Sequence, residues 1–172
     1  MNILVVDDEI DFAVMLKTAI EMRYKSNVFV AHTGHEGLSH IQNNGVDLII
    51  SDLMMPDMDG LEMVRQIKNT NKDIPVIFIT AYADVQSAME VIRLGASDFI
   101  RKPFTVSSLY YSLDRLIHFK TDPEVFTQPL GLIGETSWSF TARDIDIPQF
   151  ASDLANLLAK SHLIPFYERH SF

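Results

Sequence analysis

The chain has 172 residues, no cysteine and a formal net charge of −9. This length fits one domain of ordinary size with an extension, and the missing cysteine excludes disulfides and thiolate metal sites and suits a reducing cytoplasm. An acidic chain binds phosphate backbones poorly, so we expect no direct nucleic-acid contact. We expect no membrane span and no signal peptide, because no apolar run approaches about 18 residues and the start turns acidic at Asp7.

In chain order, short apolar runs alternate with segments of helical period. Continuous apolar runs are typical of buried parallel strands, and they predict strands at 3–6, 47–51, 75–79 and 97–100, with a less regular run at 27–31. Apolar residues three and four positions apart predict helices at 10–22, 60–68, 85–93 and 105–119, and a surface helix falls around 32–40. Strands alternating with helices favour a doubly wound α/β fold with a parallel sheet.

Polar side chains follow four of the predicted strands. Asp7 and Asp8 follow the first strand, Asp52 follows the run at 47–51, Thr80 follows 75–79, and Lys102 follows 97–100 by two residues. Ligands of open α/β sheets bind outside the carboxyl ends of the strands, so we expect these groups to gather at one edge. The pattern therefore predicts a site with three carboxylates, a hydroxyl and an ammonium.

The chemistry of these groups favours a divalent cation and a phosphoryl group. Carboxylate oxygens suit Mg²⁺ or Mn²⁺. Two carboxylates about 5 Å apart repel by about 3 kcal/mol at an effective dielectric of about 20, which a divalent cation offsets. Asp52 is then free to act as a nucleophile, while Lys102 neutralises a phosphoryl oxygen and Thr80 hydrogen-bonds to another.

Each of these residues, taken alone, also permits a structural interpretation. Asp7 and Asp8 suit a helix N-cap. Thr80 suits the end of any strand, and Lys102 suits a solvated surface. Five apt residues at four strand ends rarely coincide, and the joint pattern is what indicates the site.

The sequence strongly resembles the receiver domain of two-component response regulators over residues 1 to about 120. The stretches that carry the resemblance, in the family's order and spacing, are 5–9, 47–60, 79–82 and 95–104. The last of them looks most like receivers of the nitrogen-regulator type. The resemblance implies a flavodoxin-like, five-stranded parallel sheet with strand order 2-1-3-4-5.

The resemblance implies a role for each acidic residue of the site. Asp52 is the phosphoacceptor. Asp8, Asp52 and the backbone carbonyl of Met54 bind Mg²⁺, and Asp7 assists, partly through water.

The resemblance also implies which residues contact the phosphoryl group and which respond to it. Lys102, Thr80 and Ala81 contact the phosphoryl group. Thr80 is the switch hydroxyl and Phe99 the switch aromatic, where many receivers carry tyrosine. Phenylalanine keeps the packing change and loses a hydroxyl hydrogen bond. The bond to Pro103 is predicted to be cis, a form that costs only about 0.5–1 kcal/mol at X-Pro.

The implied function is that of a response regulator in a two-component phosphorelay. A sensor histidine kinase, a phosphotransfer protein or a small phosphodonor gives its phosphoryl group to Asp52. The face made by the fourth helix, fifth strand and fifth helix is then remodelled to control an output domain or partner. The domain catalyses only its own phosphorylation and dephosphorylation. Four charged residues on that face suggest complementary pairs that fix a homodimer, namely Arg93, Asp98, Arg101 and Arg115.

A second function class stays open, a stand-alone metal-dependent phosphotransfer enzyme such as a phosphatase. Phosphatases with an aspartate nucleophile usually carry a second acid two residues later. Met54 occupies that place after Asp52, which favours the switch. The sequence does not identify the kinase, the signal or the output.

The remaining residues predict a linker at 121–135 and a short α+β C-terminal extension at 136–172. Breaker residues mark the linker, 136–142 alternates like a strand, and Pro148 opens a helix. Three Lys/Arg against seven Asp/Glu in the tail argue against a DNA-binding helix-turn-helix. No helix stop signal precedes the last residue, so we expect the chain to continue in a longer protein.

Three interpretations of the extension remain. Strand 136–142 and the helix after it look like the opening of an anti-sigma-factor-type serine kinase, whose ATP-binding boxes would lie beyond residue 172. Residues 132–136 also resemble the opening of the ATPase module of nitrogen-regulator-type activators, although the residues after 136 depart from that pattern. The third interpretation is a dimerising or docking segment. About fifty residues rarely form a core alone, so we expect the aromatic residues there to bury against a second copy or another domain.

Overall fold

Five parallel strands form the centre of the sheet, and they alternate with five helices. The computed structural model describes residues 1–70, 73–81, 85–119, 131–133 and 137–139. The five strands are β1 (Asn2–Val6), β2 (Asn27–Ala31), β3 (Leu48–Asp52), β4 (Val76–Thr80) and β5 (Asp98–Arg101). The helices are α1 (Ile10–Arg23), α2 (Gly34–Asn43), α3 (Gly60–Asn69), α4 (Val85–Arg93) and α5 (Val106–Phe119). The parallel strands lie in the order β2-β1-β3-β4-β5, so the predicted fold and strand order are confirmed.

The register of the parallel strands brings their carboxyl ends to one edge. Val6 of β1 lies opposite Ser51 of β3, one residue before Asp52. Asp52 in turn lies opposite Ile79 of β4, one residue before Thr80. Thr80 lies opposite Arg101 of β5, one residue before Lys102. Polar groups that are far apart in the sequence therefore meet beyond one end of the sheet.

Helices cover both faces of the sheet, and each face has its own core. Because successive side chains of a strand point to opposite faces, Leu4 and Val6 pack with α2, α3 and α4, whereas Ile3 and Val5 pack with α1 and α5. Every residue of β3 and β4 is buried. Each large apolar side chain that is buried in this way stabilises the fold by about 1.5–3 kcal/mol. The strands that carry the polar groups are therefore held firmly in the core.

The first residues of the helices differ in how they are capped. The side chains of Thr33 and Asp59 accept backbone amides at the starts of α2 and α3. The N-cap of α1 is Glu9, which makes no side-chain cap bond. Asp7 accepts the amide of Glu9 at 2.9 Å but precedes the cap. The interpretation of Asp7 and Asp8 as N-caps is therefore wrong.

Two further short strands extend the sheet beyond β5. They are β6 (Gly131–Ile133) and β7 (Ser137–Ser139). β7 runs antiparallel to β5, with Phe99 opposite Trp138 and Ile100 opposite Ser137, and β6 pairs with β7 on the outside. The described sheet thus has seven strands, in the order β2-β1-β3-β4-β5-β7-β6.

The two added strands bear differently on the predictions for the tail. β7 falls inside the strand predicted at 136–142. β6 falls inside 121–135, where breaker residues predicted a linker. The sequence shows no sign of this strand, because three residues are too few to show an alternating pattern. The tail was expected to pack on a second copy or another domain. Instead, β7 pairs with β5 of the same chain, and β6 pairs with β7. Residues 121–130 and the helix predicted to begin at Pro148 lie outside the described residues.

Within the described part of the chain, no helix combines the length and the apolar character needed to cross a membrane.

Candidate functional site

Three carboxylates meet at the carboxyl ends of β1 and β3. Asp7 and Asp8 directly follow β1, and Asp52 is the last residue of β3. One carboxylate oxygen of each of the three residues lies within 4.8 Å of the others. Asp7 and Asp52 are buried, whereas Asp8 is exposed, so the cluster has a hydrated side and a desolvated side. Three hard oxygen donors in this arrangement fit Mg²⁺ or Mn²⁺.

The ammonium of Lys102 joins the two buried carboxylates. Its Nζ donates to Oδ2 of Asp7 and to Oδ2 of Asp52, each at 2.9 Å. It also lies 3.3 Å from Oε1 of Glu9, whose side chain is largely exposed. Burial lowers the pKa of Lys102, but the hydrogen bonds and charges of Asp7 and Asp52 outweigh it, so that its pKa is raised. Lys102 therefore remains a cation in this site.

The backbone around Lys102 turns the side chain over the strand ends. The Lys102 amide donates to the carbonyl of Thr80 at 2.8 Å, which continues the pairing of β4 with β5 by one residue. The peptide bond between Lys102 and Pro103 is cis. Asp7, at the far end of these contacts, lies 95 residues earlier in the sequence.

Negative charge exceeds positive charge in this cluster. Burial raises the pKa of Asp7, against the hydrogen bonds from Lys102 and from the Glu9 amide, which lower it. Asp52 adds a second negative charge, which raises the pKa of Asp7 further. A divalent cation held by Asp7, Asp8 and Asp52 would relieve this repulsion and neutralise phosphoryl oxygens beside them.

Hydrogen bonds and a close approach of the α3 backbone fix the position of Asp52. Its Oδ1 accepts the amide of Met54 at 3.1 Å, and the hydroxyl of Ser51 donates to its carbonyl at 2.8 Å. Gly60, the first residue of α3, lies directly against it: a Cβ there would lie 2.1 Å from the carbonyl oxygen of Asp52. Only glycine fits this position. The residues at 57–60 predict a turn, but the sequence does not show that Gly60 contacts Asp52.

The remaining phosphoryl-contacting residues of the prediction lie at the neighbouring strand end. Thr80 is the last residue of β4 and fully buried, and Ala81 follows it and is exposed. Met54, whose carbonyl was predicted to bind the metal, follows β3 by two residues, and its side chain is half exposed. The structure therefore brings Asp7, Asp8, Lys102 and the Met54 amide close to Asp52, and it places Thr80 and Ala81 at the end of the neighbouring strand.

Phe99 is buried beneath α4 and not exposed. Its side chain is 3 % exposed and belongs to the core that contains Val91, Ile92 and Ala96. The ring is therefore part of the core on the α4 side of the sheet. The switch role of Phe99 stays a prediction.

One expectation about the face of α4, β5 and α5 needs correction. Asp98 and Arg115 were expected to offer charges to a second copy. Instead Asp98 is fully buried, and its Oδ2 lies 3.1 Å from the guanidinium of Arg115 in the same chain. Of the four charges, Arg93 remains exposed and Arg101 half-buried.

Two contacts of Lys102 were not predicted from the sequence. Glu9 is the first: its position after two acids is a signal that could have revealed it. Phe12 is the second: the Lys102 Nζ lies 4.0 Å from the centroid of its ring. The spacing of Phe12 in α1 is that of a core residue, so the sequence carried no signal for this contact.

Known proteins resemble this chain over the same residues that build the site. The family model of the response regulator receiver domain matches residues 3–114. Transcriptional regulatory protein ZraR of Escherichia coli (strain K12) is 33% identical over 141 residues, which are 79% of this chain and 32% of ZraR. Response regulator MprA of Mycobacterium avium (strain 104) is 36% identical over 124 residues, 72% of this chain and 54% of MprA. The chain thus spans about a third of the length of ZraR and half that of MprA.

Solved structures give the same result for the fold. The N-terminal domain of a protein from Wolinella succinogenes superimposes with a TM-score of 0.67 at 32% identity, covering 72% of this chain and 99% of that domain. The Francisella response regulator 1452 receiver domain gives 0.64 at 30% identity, covering 70% and 98%. Asp7, Asp8, Asp52 and Lys102 lie within residues 3–114, which the family model matches. The chain belongs to the response regulator receiver domain family of two-component signal transduction.

Proposed function

We propose that this chain is a phosphorylated switch whose phosphoacceptor is Asp52. One observation carries the proposal: the ammonium of Lys102 contacts both Asp7 and Asp52 at 2.9 Å within a three-carboxylate cluster. A nucleophilic carboxylate needs such a cation beside it, because the incoming phosphoryl group carries negative charge into a site that is already acidic.

The transfer is a displacement at phosphorus. A carboxylate oxygen of Asp52 forms a new P–O bond, and the bond from phosphorus to the donor breaks, with its electron pair going to the donor. Lys102 and the hydroxyl of Thr80 hold the oxygens of the transferred group, assisted by Ala81. Mg²⁺ or Mn²⁺, bound by Asp7, Asp8, Asp52 and the carbonyl of Met54, would supply charge neutralisation. Later attack by water at phosphorus returns the Asp52 carboxylate and releases inorganic phosphate.

The partners follow from this chemistry and from the family. The donor is a sensor histidine kinase, a phosphotransfer protein or a small acyl phosphate. The recipient of the signal is an output domain or a second copy, reached through α4, β5 and α5 with Phe99 as the switch residue. We propose that the protein acts in the cytoplasm, does not itself grip nucleic acid, and turns over no substrate other than its own phosphoryl group.

The domain boundaries belong to the same proposal. α5 ends at Phe119, and the family match ends at residue 114, which supports a receiver over residues 1–120. Residues 121–135 connect it to the extension at 136–172. Because β6 lies within the connecting segment, this connection includes a paired strand.

A phosphatase-like enzyme is the second candidate. Met54, two residues after Asp52, argues against it. Met54 has an exposed thioether side chain, and its only described hydrogen bond to Asp52 is through its amide. A thioether offers no proton to a leaving group. Release of phosphate from many molecules of an added phosphomonoester per protein would favour the enzyme.

The test is labelling with acetyl phosphate, followed by intact mass. We expect the wild type to gain one phosphoryl group with Mg²⁺ and none with a chelator, and Asp52→Asn to gain none. Asp57→Asn is the matched control, because Asp57 is an exposed aspartate in the next loop at a φ of 67°, which asparagine tolerates. Stable labelling of Asp52→Asn at the wild-type rate would refute the assignment.

A further inference from the structure

We propose that Phe12 is a positioning residue for phosphoryl transfer, holding the ammonium of Lys102 on the α1 side of the site. The inference rests on the proposed function and names a residue that the family pattern does not assign. Phe12 lies in the first turn of α1, three residues after Glu9, and its ring contacts the ammonium of Lys102, which follows β5.

The ring and the ammonium form a built contact. The Nζ of Lys102 lies 4.0 Å from the ring centroid of Phe12, within the range of a cation–π interaction. The ring of Phe104 packs edge-on against that of Phe12, with centroids 6.0 Å apart and planes at 88°. Because Phe104 follows Lys102 by two residues, both partners of Phe12 come from the segment after β5, and they fix the ring between them.

The contact with Phe12 matters because the other contacts of the ammonium change when the site binds a cation or a phosphoryl group. The other described contacts of its Nζ are carboxylates, those of Asp7, Asp52 and Glu9. A divalent cation competes for Asp7 and Asp52, and phosphorylation converts Asp52 itself. Glu9 is 68% exposed, so its attraction is screened by water. Of the described contacts of the ammonium, the ring of Phe12 is therefore the one that is neither screened by water nor shared with the cation or the phosphoryl group.

The ring therefore limits where the lysine can go when its carboxylate contacts change. A lysine side chain has four rotatable bonds and loses much freedom when it is held. The two-angle phenylalanine ring is stiffer and already packed by Phe104. With the ring in place, the ammonium stays where the transferred oxygens arrive. Without it, the same ammonium samples positions outside the site.

The simpler explanation is that Phe12 only fills the core. It is half-buried and packs against the cluster of α1 and α5. A purely structural role would make leucine a good replacement, because the apolar contact survives. A positioning role requires the aromatic face, so Phe12→Tyr and Phe12→Leu separate the two explanations.

The experiment measures the rate of Asp52 labelling in the full chain at increasing acetyl phosphate with saturating Mg²⁺. Phe12→Leu should lower the maximal rate by roughly 2- to 30-fold, the range that cation–π interactions span, with little change in the donor concentration at half-maximal rate. Phe12→Tyr should retain most of the rate. Phe29→Leu is the matched control, because Phe29 is a half-buried phenylalanine on β2 that packs against the other core, and its rate should equal the wild type.

A second measurement needs no phosphorylation. In the wild type and in Phe12→Tyr, the ring should shift the Cε protons of Lys102 upfield in the NMR spectrum, and this shift should vanish in Phe12→Leu. A wild-type protein without the shift would overturn the contact. A folded Phe12→Leu protein that labels at the wild-type rate would overturn the positioning role alone. A wild-type protein that takes no label at all would overturn the proposed function, and the inference with it.

Discussion

The carboxylate of Asp98 and the guanidinium of Arg115 form an ion pair of 3.1 Å inside the chain, between β5 and α5. Asp98 is fully buried, and its other oxygen accepts the amide of Phe99 at 2.8 Å. Arg115 also donates to the carbonyl of Ser97 at 3.0 Å. The pair thus ties the strand that carries Phe99 to the last helix of the receiver.

This pair should make stability depend on pH. Burial raises the pKa of Asp98 from 3.8 to about 6, although Arg115, Ser112 and the Phe99 amide lower it. A carboxyl group whose folded pKa is raised binds its proton more tightly in the folded state. Its contribution to stability is therefore fully present well below the ordinary pKa of 3.8 and is lost as the pH rises through about 6, a total change of about 3 kcal/mol.

The check is urea denaturation of the wild type and Asp98→Asn at several pH values. Asparagine does not titrate, so the free energy of unfolding of the wild type, relative to the variant, should fall by about 3 kcal/mol between about pH 3 and pH 7, most steeply between about pH 4 and pH 6, and then level off. Parallel pH profiles for the two proteins would contradict the shifted pKa of Asp98.

Removing the ammonium of Lys102 should destabilise the chain, and Mg²⁺ should offset part of the loss. Lys102→Gln leaves Asp7 and Asp52 buried without their counter-charge, which costs about 3 kcal/mol when a buried pair is broken. Saturating Mg²⁺ supplies the missing positive charge, so it should stabilise Lys102→Gln more than it stabilises the wild type.

The matched control for this prediction is Arg65→Gln. Arg65 makes exposed ion pairs with Glu62 and Glu90 at 3.8 and 3.5 Å, so its loss should cost less than about 1 kcal/mol. Both variants would be unfolded in urea with and without Mg²⁺. Arg65→Gln should respond to Mg²⁺ as the wild type does, so an equal response of both variants would contradict the idea that Mg²⁺ replaces the missing charge of Lys102.

Gly60→Ala should damage both stability and the phosphoacceptor. The new Cβ would lie 2.1 Å from the carbonyl oxygen of Asp52, so β3 or α3 must shift, at a cost of about 3 kcal/mol. Asp52 labelling should fall with it. Gly45→Ala is the control: Gly45 has a φ of 58° but nothing within 4 Å of its Cβ position, so the cost is about 1 kcal/mol of backbone strain, with labelling unchanged.

Truncation after residue 120 should increase self-association. In the structure β7 pairs with β5 and covers its edge. An uncovered edge strand offers unpaired amides and carbonyls to another chain. Sedimentation of the full chain, the truncated chain and Ser137→Pro should therefore show more dimer in the last two. The sequence suggested the reverse, a dimer held by the tail, and a truncated chain that turns from dimer to monomer would restore that view.

Local chemistry was readable from the sequence because it depends on neighbours in the chain. The apolar runs at 3–6 and 75–79 had to be buried, and the polar residues after them had to lie at strand ends. Parallel pairing then leaves one edge for Asp7, Asp52 and Lys102 to share. The pattern alone therefore predicted the parallel sheet and the acidic cluster, whereas the strand order followed from the resemblance to the receiver family.

Contacts between residues far apart in the chain needed the tertiary structure. The helical spacing of Phe12 is that of an ordinary core residue. It does not show that the ring contacts the ammonium of Lys102, which lies far along the chain. Asp98 and Arg115 look like surface charges in sequence, and only the packing of α5 on β5 buries them as a pair. β6 and β7 are too short for an alternating pattern to predict how they pair, and the free edge of β5 determined their place. Periodicity reports which face of an element is buried, but which side chains meet there depends on how the elements pack, and that is a property of the whole fold.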